Sequence, residues 1–477
     1  MKIKIGTGSI RVEEFAELCG GVLCANFDAE DSGFSYICTD SREADADTLF
    51  VVMKGEKVDG HDYMLSAAEN GCRTFLCQWI PTELIESGVE FSVITSEDSI
   101  VALGNFVRAY NEFREKKTVA VTGSVGKTTT KEMISAVLSE HFRVHKTLAN
   151  HNSTIGMPMS LLAMAPTDEV MVAEMGTGNF GEISFMSKIA CPDIACITNI
   201  GSSHLEVFGS RENICQAKLE IADGLSADGI LVLNGDEPLL SSVHTKDIRT
   251  LYVAIENQNA DYRAVNIRYG EHDTVFDLVQ GEKTTKDIRL SCVGKPYVWS
   301  ALFAIAVGEL MRMSMEKIQS GLLGFENAEM RQNISELHGI TVIEDCYNAA
   351  PESMRAAADL LKLLSEKQGG ARTVALLGDM RELGENSAKY HKSVGRYFAA
   401  SGVGRLFCVG ELAKDIALGA LDAGMENDAV AICLDAEERG KISDTVSKTL
   451  EKGDILLVKA SRAIGAEKIL DLIKQKM

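Results

Sequence analysis

Gly123-Ser124-Val125-Gly126-Lys127-Thr128-Thr129 is the stretch of this chain whose residue types commit most firmly to one chemistry, the binding of a nucleotide's phosphates. Glycines let backbone N–H groups turn inward on phosphate oxygens, and a helix N-terminus adds partial positive charge there. Lys127 can reach the β- and γ-phosphates, and Thr128 can ligate Mg²⁺. The full G-x-x-x-x-G-K-[ST] pattern would need a glycine where Val121 stands. An ordinary strand-to-helix glycine turn would explain the glycines, but not Lys-Thr at the helix start. The loop is therefore read as an ATP site.

A phosphate loop needs partners for its metal, and three residues are candidates. Glu174 lies near the carboxyl end of the run Val170–Met175, where a metal-holding acid would stand. His204 lies in Asn-Ile-Gly-Ser-Ser-His, among small residues that leave room for a ligand. Taken singly, a strand-end Glu is more often solvated and a loop His more often satisfies a turn. Lys218 is more informative, because it falls inside the helical stripe Ile214, Ala217, Ile221 rather than opposite it. Such a lysine either snorkels to water or sits desolvated with a lowered pKa. A neutral amine can take up carbon dioxide as a carbamate, which turns a cation into an anionic metal ligand.

Positioning these groups requires strands that end at the site. Apolar runs at Thr118–Thr122, Val170–Met175, Ile194–Ile200, Ile230–Asn234 and Thr250–Ala254, with helices between the earlier ones, predict a doubly wound, mostly parallel sheet. A helix runs from Lys127 through Phe142, with Met133, Ile134, Val137 and Leu138 on one face. Residues 261–293 alternate with period two and read as an antiparallel addition. Before this block come short strands at Thr48–Met53, Thr74–Cys77 and Phe91–Thr95, closed by a helix Ser99–Arg114 and a polar Arg-Glu-Lys-Lys hinge. After it, strands at Ile340–Asp345, Thr373–Leu377, Arg405–Val409, Val430–Leu434 and Ile455–Lys459 make a second doubly wound sheet. The fold expected is α/β in three domains: a small N-terminal α/β domain (1–117), a central phosphate-loop domain (118–330) and a C-terminal Rossmann-like domain (331–477). Ligands in such sheets sit beyond the carboxyl ends of strands.

The length of 477 residues agrees with two to four domains. With 48 Lys and Arg against 69 Asp and Glu, the net charge is −21, which argues against nucleic-acid binding. Any anionic ligand must be held by a local device. Twelve scattered cysteines without a C-x-x-C pair read as reduced thiols, and no run of apolar residues is long enough to span a membrane. Together with an N-terminus lacking a signal peptide's apolar core, these features lead us to expect a cytoplasmic protein with no membrane insertion.

At this point the chain resembles a known family, the Mur ligases of peptidoglycan synthesis. Thr-Gly-Ser-Val-Gly-Lys-Thr-Thr is that family's short form of the phosphate loop. CTDSREADADTLFVVMKGEKVDGHDYM is similar to its uridine-nucleotide domain, and IEDCYNAAPESM, LLGDMRELGENS and LLVKASR to its C-terminal ligase domain. The match is to the branch that joins D-alanyl-D-alanine to UDP-N-acetylmuramoyl-tripeptide at the expense of ATP, through an acyl phosphate. The resemblance implies two Mg²⁺ ions, one on Thr128 and Glu174, the other on His204 and a carbamate on Lys218. It implies catalytic roles for Lys127, Lys218, His204 and Glu174, and ATP contacts from residues 123 to 129 (Gly123, Ser124, Val125, Gly126, Lys127, Thr128, Thr129), Arg331, Asp345 and Asn348. It implies substrate contacts from Ser41, Arg42, Asn150, Asn152, Tyr347 and Ser353, and a monomer.

Three departures stand out. Asn152-Ser153 replaces an asparagine pair, Ala460 replaces a glycine, and Pro296, Tyr297 and Ser300 replace a histidine and two asparagines near the expected adenine site. Two other readings use the same residues. One is a sister ligase that adds the third amino acid to the muramoyl dipeptide, whose Asp-Asn-Pro-Arg signature is absent here. The other is a non-catalytic nucleotide-binding relative.

Overall fold

The computed structural model describes residues 1–25, 32–55, 58–112, 116–148, 150–243, 247–434 and 438–476. By packing, the chain forms two units: residues 1–122, 142–196 and 219–231, and residues 123–141, 197–218 and 232–477.

The first unit holds a six-stranded sheet in the order Lys2–Lys4, Tyr36–Cys38, Thr48–Val51, Thr74–Cys77, Ser92–Thr95, Val22–Ala25. Its inner pairs are parallel and its two outer pairs antiparallel. Phe50, Phe75, Val93 and Met64 fill one face. The expected helix is present as Ser99–Glu112; its expected end at 114 and the first two residues of the polar hinge (114–115) lie outside the described residues. The same unit carries the parallel strands Val144–Lys146, Val170–Glu174 and Lys117–Thr122, with Ile194–Ile197 next in order. The register sets Glu174 opposite Val121, near the carboxyl ends of two adjacent strands. Ile194–Ile197 is shorter than its apolar run, because Thr198 and Asn199 turn away to bind the glycine loop.

The second unit opens with the helix Lys127–Ser139, whose expected apolar face (Met133, Ile134, Val137 and Leu138) is fully buried. It ends short of Phe142 and is tied to the helix Lys295–Leu310 by the hydroxyls of Thr130 and Ser300, 3.0 Å apart. The alternating segment forms three antiparallel strands, Tyr262–Tyr269, Thr274–Gln280 and Lys283–Leu290, the first pairing in parallel with Arg249–Ala254. The C-terminal sheet runs Asn333–Leu337, Ile340–Asp345, Ile455–Lys459, Thr373–Gly378, Arg405–Val409, Val430–Cys433. All its pairs are parallel except the first. Asn333–Leu337 had no sequence signal, since only a half-buried, largely polar edge marks it. Helices Pro351–Lys367, Ser387–Ala400 and Lys414–Asp422 cover one face, and Arg439–Thr449 with Ala466–Lys476 the other. Among the described residues no helix is long and apolar enough to cross a membrane.

Candidate active site

The glycine loop is held by the residues that follow Ile194–Ile197. Ser124 N–H donates to the Asn199 carbonyl (3.1 Å), and Val125 N–H to Asn199 Oδ1 (2.9 Å). Asn199 Nδ2 (3.0 Å) and Thr198 Oγ1 (2.6 Å) both donate to the Val125 carbonyl. Gly123 must be glycine: its φ is 147°, and a Cβ there would lie 1.9 Å from Thr198 Oγ1. Gly126, at φ 83°, begins the helix, its carbonyl accepting from Thr130 N–H at 2.9 Å, and a helix N-terminus carries partial positive charge that suits an anion. Lys127 Nζ is folded back onto the carbonyls of Gly123 (2.7 Å) and Ser124 (3.3 Å). Thr128 is buried beside it in the chain and Thr129 is half-buried.

In the first unit Glu174 is only 2% exposed. Its Oε1 accepts from Asn152 Nδ2 at 2.9 Å, and Gly176 N–H donates to the Asn152 carbonyl at 2.7 Å. The structure thus brings Asn152 to Glu174, whereas Asn150 lies in an exposed turn. Ser153, at the departure, caps the turn ahead of helix Gly156–Leu162, its Oγ accepting from Gly156 N–H at 3.2 Å. Ser41 is buried; Arg42 is exposed and makes two bonds to Asp40, 2.8 and 2.6 Å, which hold the Asp40 carboxyl well below its usual range.

In the second unit Lys218 is 2% exposed, on the helix Arg211–Leu219 whose Ile214 and Ala217 are also buried, so it does not snorkel; the helix ends at Leu219, short of Ile221. Burial pushes its ammonium well below the ordinary lysine range, and the charge of Lys127 adds to the effect. His204 has a left-handed backbone (φ 64°), and its Nδ1 lies 2.6 Å from Glu382 Oε2. The hydrogen bond from His204 is the largest cause lowering the Glu382 carboxyl pKa, with the charges of His204 and Lys127 in support. Glu352, on the first turn of Pro351–Lys367, accepts from Ser202 N–H (3.0 Å) and Ser202 Oγ (2.9 Å). Among the described residues no three His, Cys, Asp or Glu side chains cluster as a metal site, so a metal here would need other ligands as well.

The C-terminal candidates sort differently. Asp345 is buried and paired with Lys459 Nζ (2.7 Å), which also donates to the Asn348 carbonyl (3.1 Å). Ser353 Oγ accepts from Ala350 N–H at 3.0 Å and caps its helix. The Arg331 guanidinium stacks on the Tyr347 ring at 4.1 Å. Asn348 Oδ1 accepts from Ala349 N–H at 2.8 Å. The methyl of Ala460 packs where Gly378 lacks a side chain: a Cβ on Gly378 would lie 2.6 Å from it. Tyr297 is buried, its hydroxyl accepting from Asn327 Nδ2 at 2.8 Å. Pro296 opens helix Lys295–Leu310. Sequence reasoning missed Thr198, Asn199, Glu352, Glu382 and Lys459, none of which stands in a spacing that marks its partner.

Family models describe three consecutive stretches: "Mur ligase family, catalytic domain" matches residues 34–122, "Mur ligase middle domain" 121–308, and "Mur ligase, glutamate ligase domain" 330–462. The chain is 37% identical over 468 residues to the UDP-N-acetylmuramoyl-tripeptide–D-alanyl-D-alanine ligase of Bacillus subtilis, covering 98% of this chain and 99% of that one. It is 30% identical over 406 residues to the Escherichia coli enzyme of the same name, covering 84% and 86%. Among solved structures it is similar to MurF from Acinetobacter baumannii (TM-score 0.88, 27% identity, 99% and 100% covered). It is also similar to MurF ligase from Thermotoga maritima in complex with ADP (TM-score 0.80, 26% identity, 92% and 97% covered).

Proposed function

The chain belongs to the Mur ligase family, and from that premise we infer that it joins D-alanyl-D-alanine to UDP-N-acetylmuramoyl-tripeptide, converting ATP to ADP and phosphate. The observation that carries this reading is the glycine loop: it runs into a helix N-terminus, is pinned by Thr198 and Asn199, and has Lys127 folded onto it. A carboxylate does not form an amide unaided in water. The γ-phosphoryl group of ATP passes to the terminal carboxylate of the tripeptide, and the dipeptide amine then attacks the acyl phosphate and displaces phosphate. Lys127 leaves the carbonyls of Gly123 and Ser124 for the phosphates and neutralises charge where it develops.

The donor chemistry suits Mg²⁺. Thr128 and Glu174 offer hard oxygens, His204 keeps Nε2 clear of its bond to Glu382, and the depressed amine of Lys218 suits carbamate formation. When bound, Mg²⁺ supplies charge neutralisation at the phosphates. We divide the work among three segments: 1–117 for the UDP substrate with Ser41 and Arg42, 118–330 for ATP, and 331–477 with Arg331, Asp345, Tyr347, Asn348 and Ser353 for completing the site. Asn150 and Asn152 serve the acceptor side. The use of ATP and a UDP-linked substrate supports a reaction in the cytoplasm.

The test is phosphate release by the purified chain with ATP, Mg²⁺, UDP-muramoyl tripeptide and D-Ala-D-Ala. Release that requires both partners, and is lost in Lys127→Ala, is expected. Release with single amino acids in place of the dipeptide, on a muramoyl dipeptide, would overturn the substrate assignment. Undiminished ligation by Lys127→Ala would overturn the phosphate-loop assignment.

A further inference from the structure

We propose that Glu382 is the positioning residue of His204: its carboxylate holds the imidazole with Nδ1 protonated and turns Nε2 toward the ligand side. The first ground is the contact, 2.6 Å between Nδ1 and Oε2. An acceptor-only carboxylate at that distance selects the Nδ1–H tautomer, which leaves the Nε2 lone pair for an electrophile.

The second ground is the backbone. His204 (φ 64°) and Glu382 (φ 65°) both sit in the left-handed region, which is unfavourable for a non-glycine residue and persists only when its surroundings impose it. Two such residues, distant in sequence, meet each other. Their main chains are also tied, since Glu206 N–H donates to the Glu382 carbonyl at 3.2 Å.

The third ground is the rigidity of the loop that presents Glu382. Asp379 Oδ1 accepts from Leu412 N–H (3.0 Å) and Ala413 N–H (2.8 Å), and Met380 N–H donates to His391 Nε2 (3.0 Å). A half-exposed ion pair made for stability alone contributes little and needs no such scaffold. Carboxylates that orient a metal-ligating histidine typically carry about 10–100-fold in metal affinity.

The inference rests on the reading of His204 as a metal ligand, and the experiment separates the two. Mn²⁺ binding to the full chain with ADP present is titrated by electron paramagnetic resonance for wild type, Glu382→Ala, Glu382→Gln and His204→Ala. Nitrogen-15 shifts of the His204 ring report the tautomer. Glu382→Ala should weaken Mn²⁺ by about 10–100-fold and lose the Nδ1–H signature, while metal-free ADP affinity stays unchanged. Glu382→Gln keeps an acceptor and should fall between; it carries the test should the alanine variant misfold. If His204→Ala weakens Mn²⁺ but both Glu382 variants bind within about twofold of wild type, the positioning role is overturned and the metal reading stands. If His204→Ala binds Mn²⁺ normally, the metal reading itself is overturned.

Discussion

Truncating Asn199 should loosen the glycine loop by an amount the geometry sets. In Asn199→Ala two bonds to Val125 disappear, one accepted at 2.9 Å and one donated at 3.0 Å. A neutral hydrogen bond contributes about 0.5–1.5 kcal/mol net, and an abandoned buried group costs about 1–3 kcal/mol. Val125 is half-buried, so its freed N–H regains some water, and its carbonyl keeps the bond from Thr198 Oγ1. The backbone bond from Ser124 to the Asn199 carbonyl also survives. The loss therefore falls at about 1–2 kcal/mol. If that cost is borne by the binding-competent loop, ADP affinity drops about five- to thirtyfold.

Titration calorimetry with ADP and Mg²⁺ reads this directly, and thermal unfolding shows whether the cost is spread over the fold. Asn199→Asp keeps the acceptor, loses the donor and sets a negative charge beside the phosphates, so it should bind ADP more weakly than Asn199→Ala. Thr198→Val removes the other bond to the Val125 carbonyl, and the double variant should be non-additive because both groups hold one oxygen. An Asn199→Ala chain that binds ADP within about twofold of wild type would refute the clamp, since the expected loss is several times larger.

Further expectations follow from the other buried groups. Lys218→Arg cannot form a carbamate, so a carbon-13 carbamate resonance seen with labelled bicarbonate should vanish along with ligation; its absence from wild type would reject the carbamate. Lys459→Met leaves the buried Asp345 carboxylate without its cation and should cost about 3–5 kcal/mol in chemical denaturation, much of it regained in the double variant with Asp345→Asn. His391 is fully buried and neutral, its Nε2 accepting from Met380 N–H, and desolvation lowers its pKa from 6.5. The unfolded chain takes up that proton first. Stability is therefore complete above the unfolded pKa near 6.5 and is lost as pH falls toward the lower folded value. His391→Gln should flatten that acid limb of the melting temperature, and an unchanged slope would exclude His391 as its source.

How much of this was legible in the sequence depends on the kind of signal. The buried parallel strands were, because Val170–Glu174 and Ile455–Lys459 are apolar up to their last residue, which is charged and ends the strand. The short or half-exposed strands Lys2–Lys4, Val144–Lys146 and Asn333–Leu337 were not, because pairing at an edge leaves little hydrophobic pattern. The burial of Lys218 was legible for a stronger reason: a charged residue placed on the same helical face as Ile214 and Ala217 has few places to go once that face is buried.

The residues that sequence reasoning missed at the site act through another residue. Lys127, Thr128 and Glu174 have types dictated by phosphate and metal, so a motif exposes them. Asn199, Glu352 and Glu382 have types dictated by what each must hold: a loop amide and carbonyl, a serine N–H and hydroxyl, an imidazole. Any residue with the right acceptor or donor at the right place would serve, and that place is created only when the distant segments fold together. The left-handed backbone at His204 and Glu382 is hidden for the same reason. Neither residue type favours that conformation as glycine does, so it must be imposed by the surrounding contacts. Glu382 had appeared only as one letter in a family string. Its task follows from the imidazole it meets in the fold.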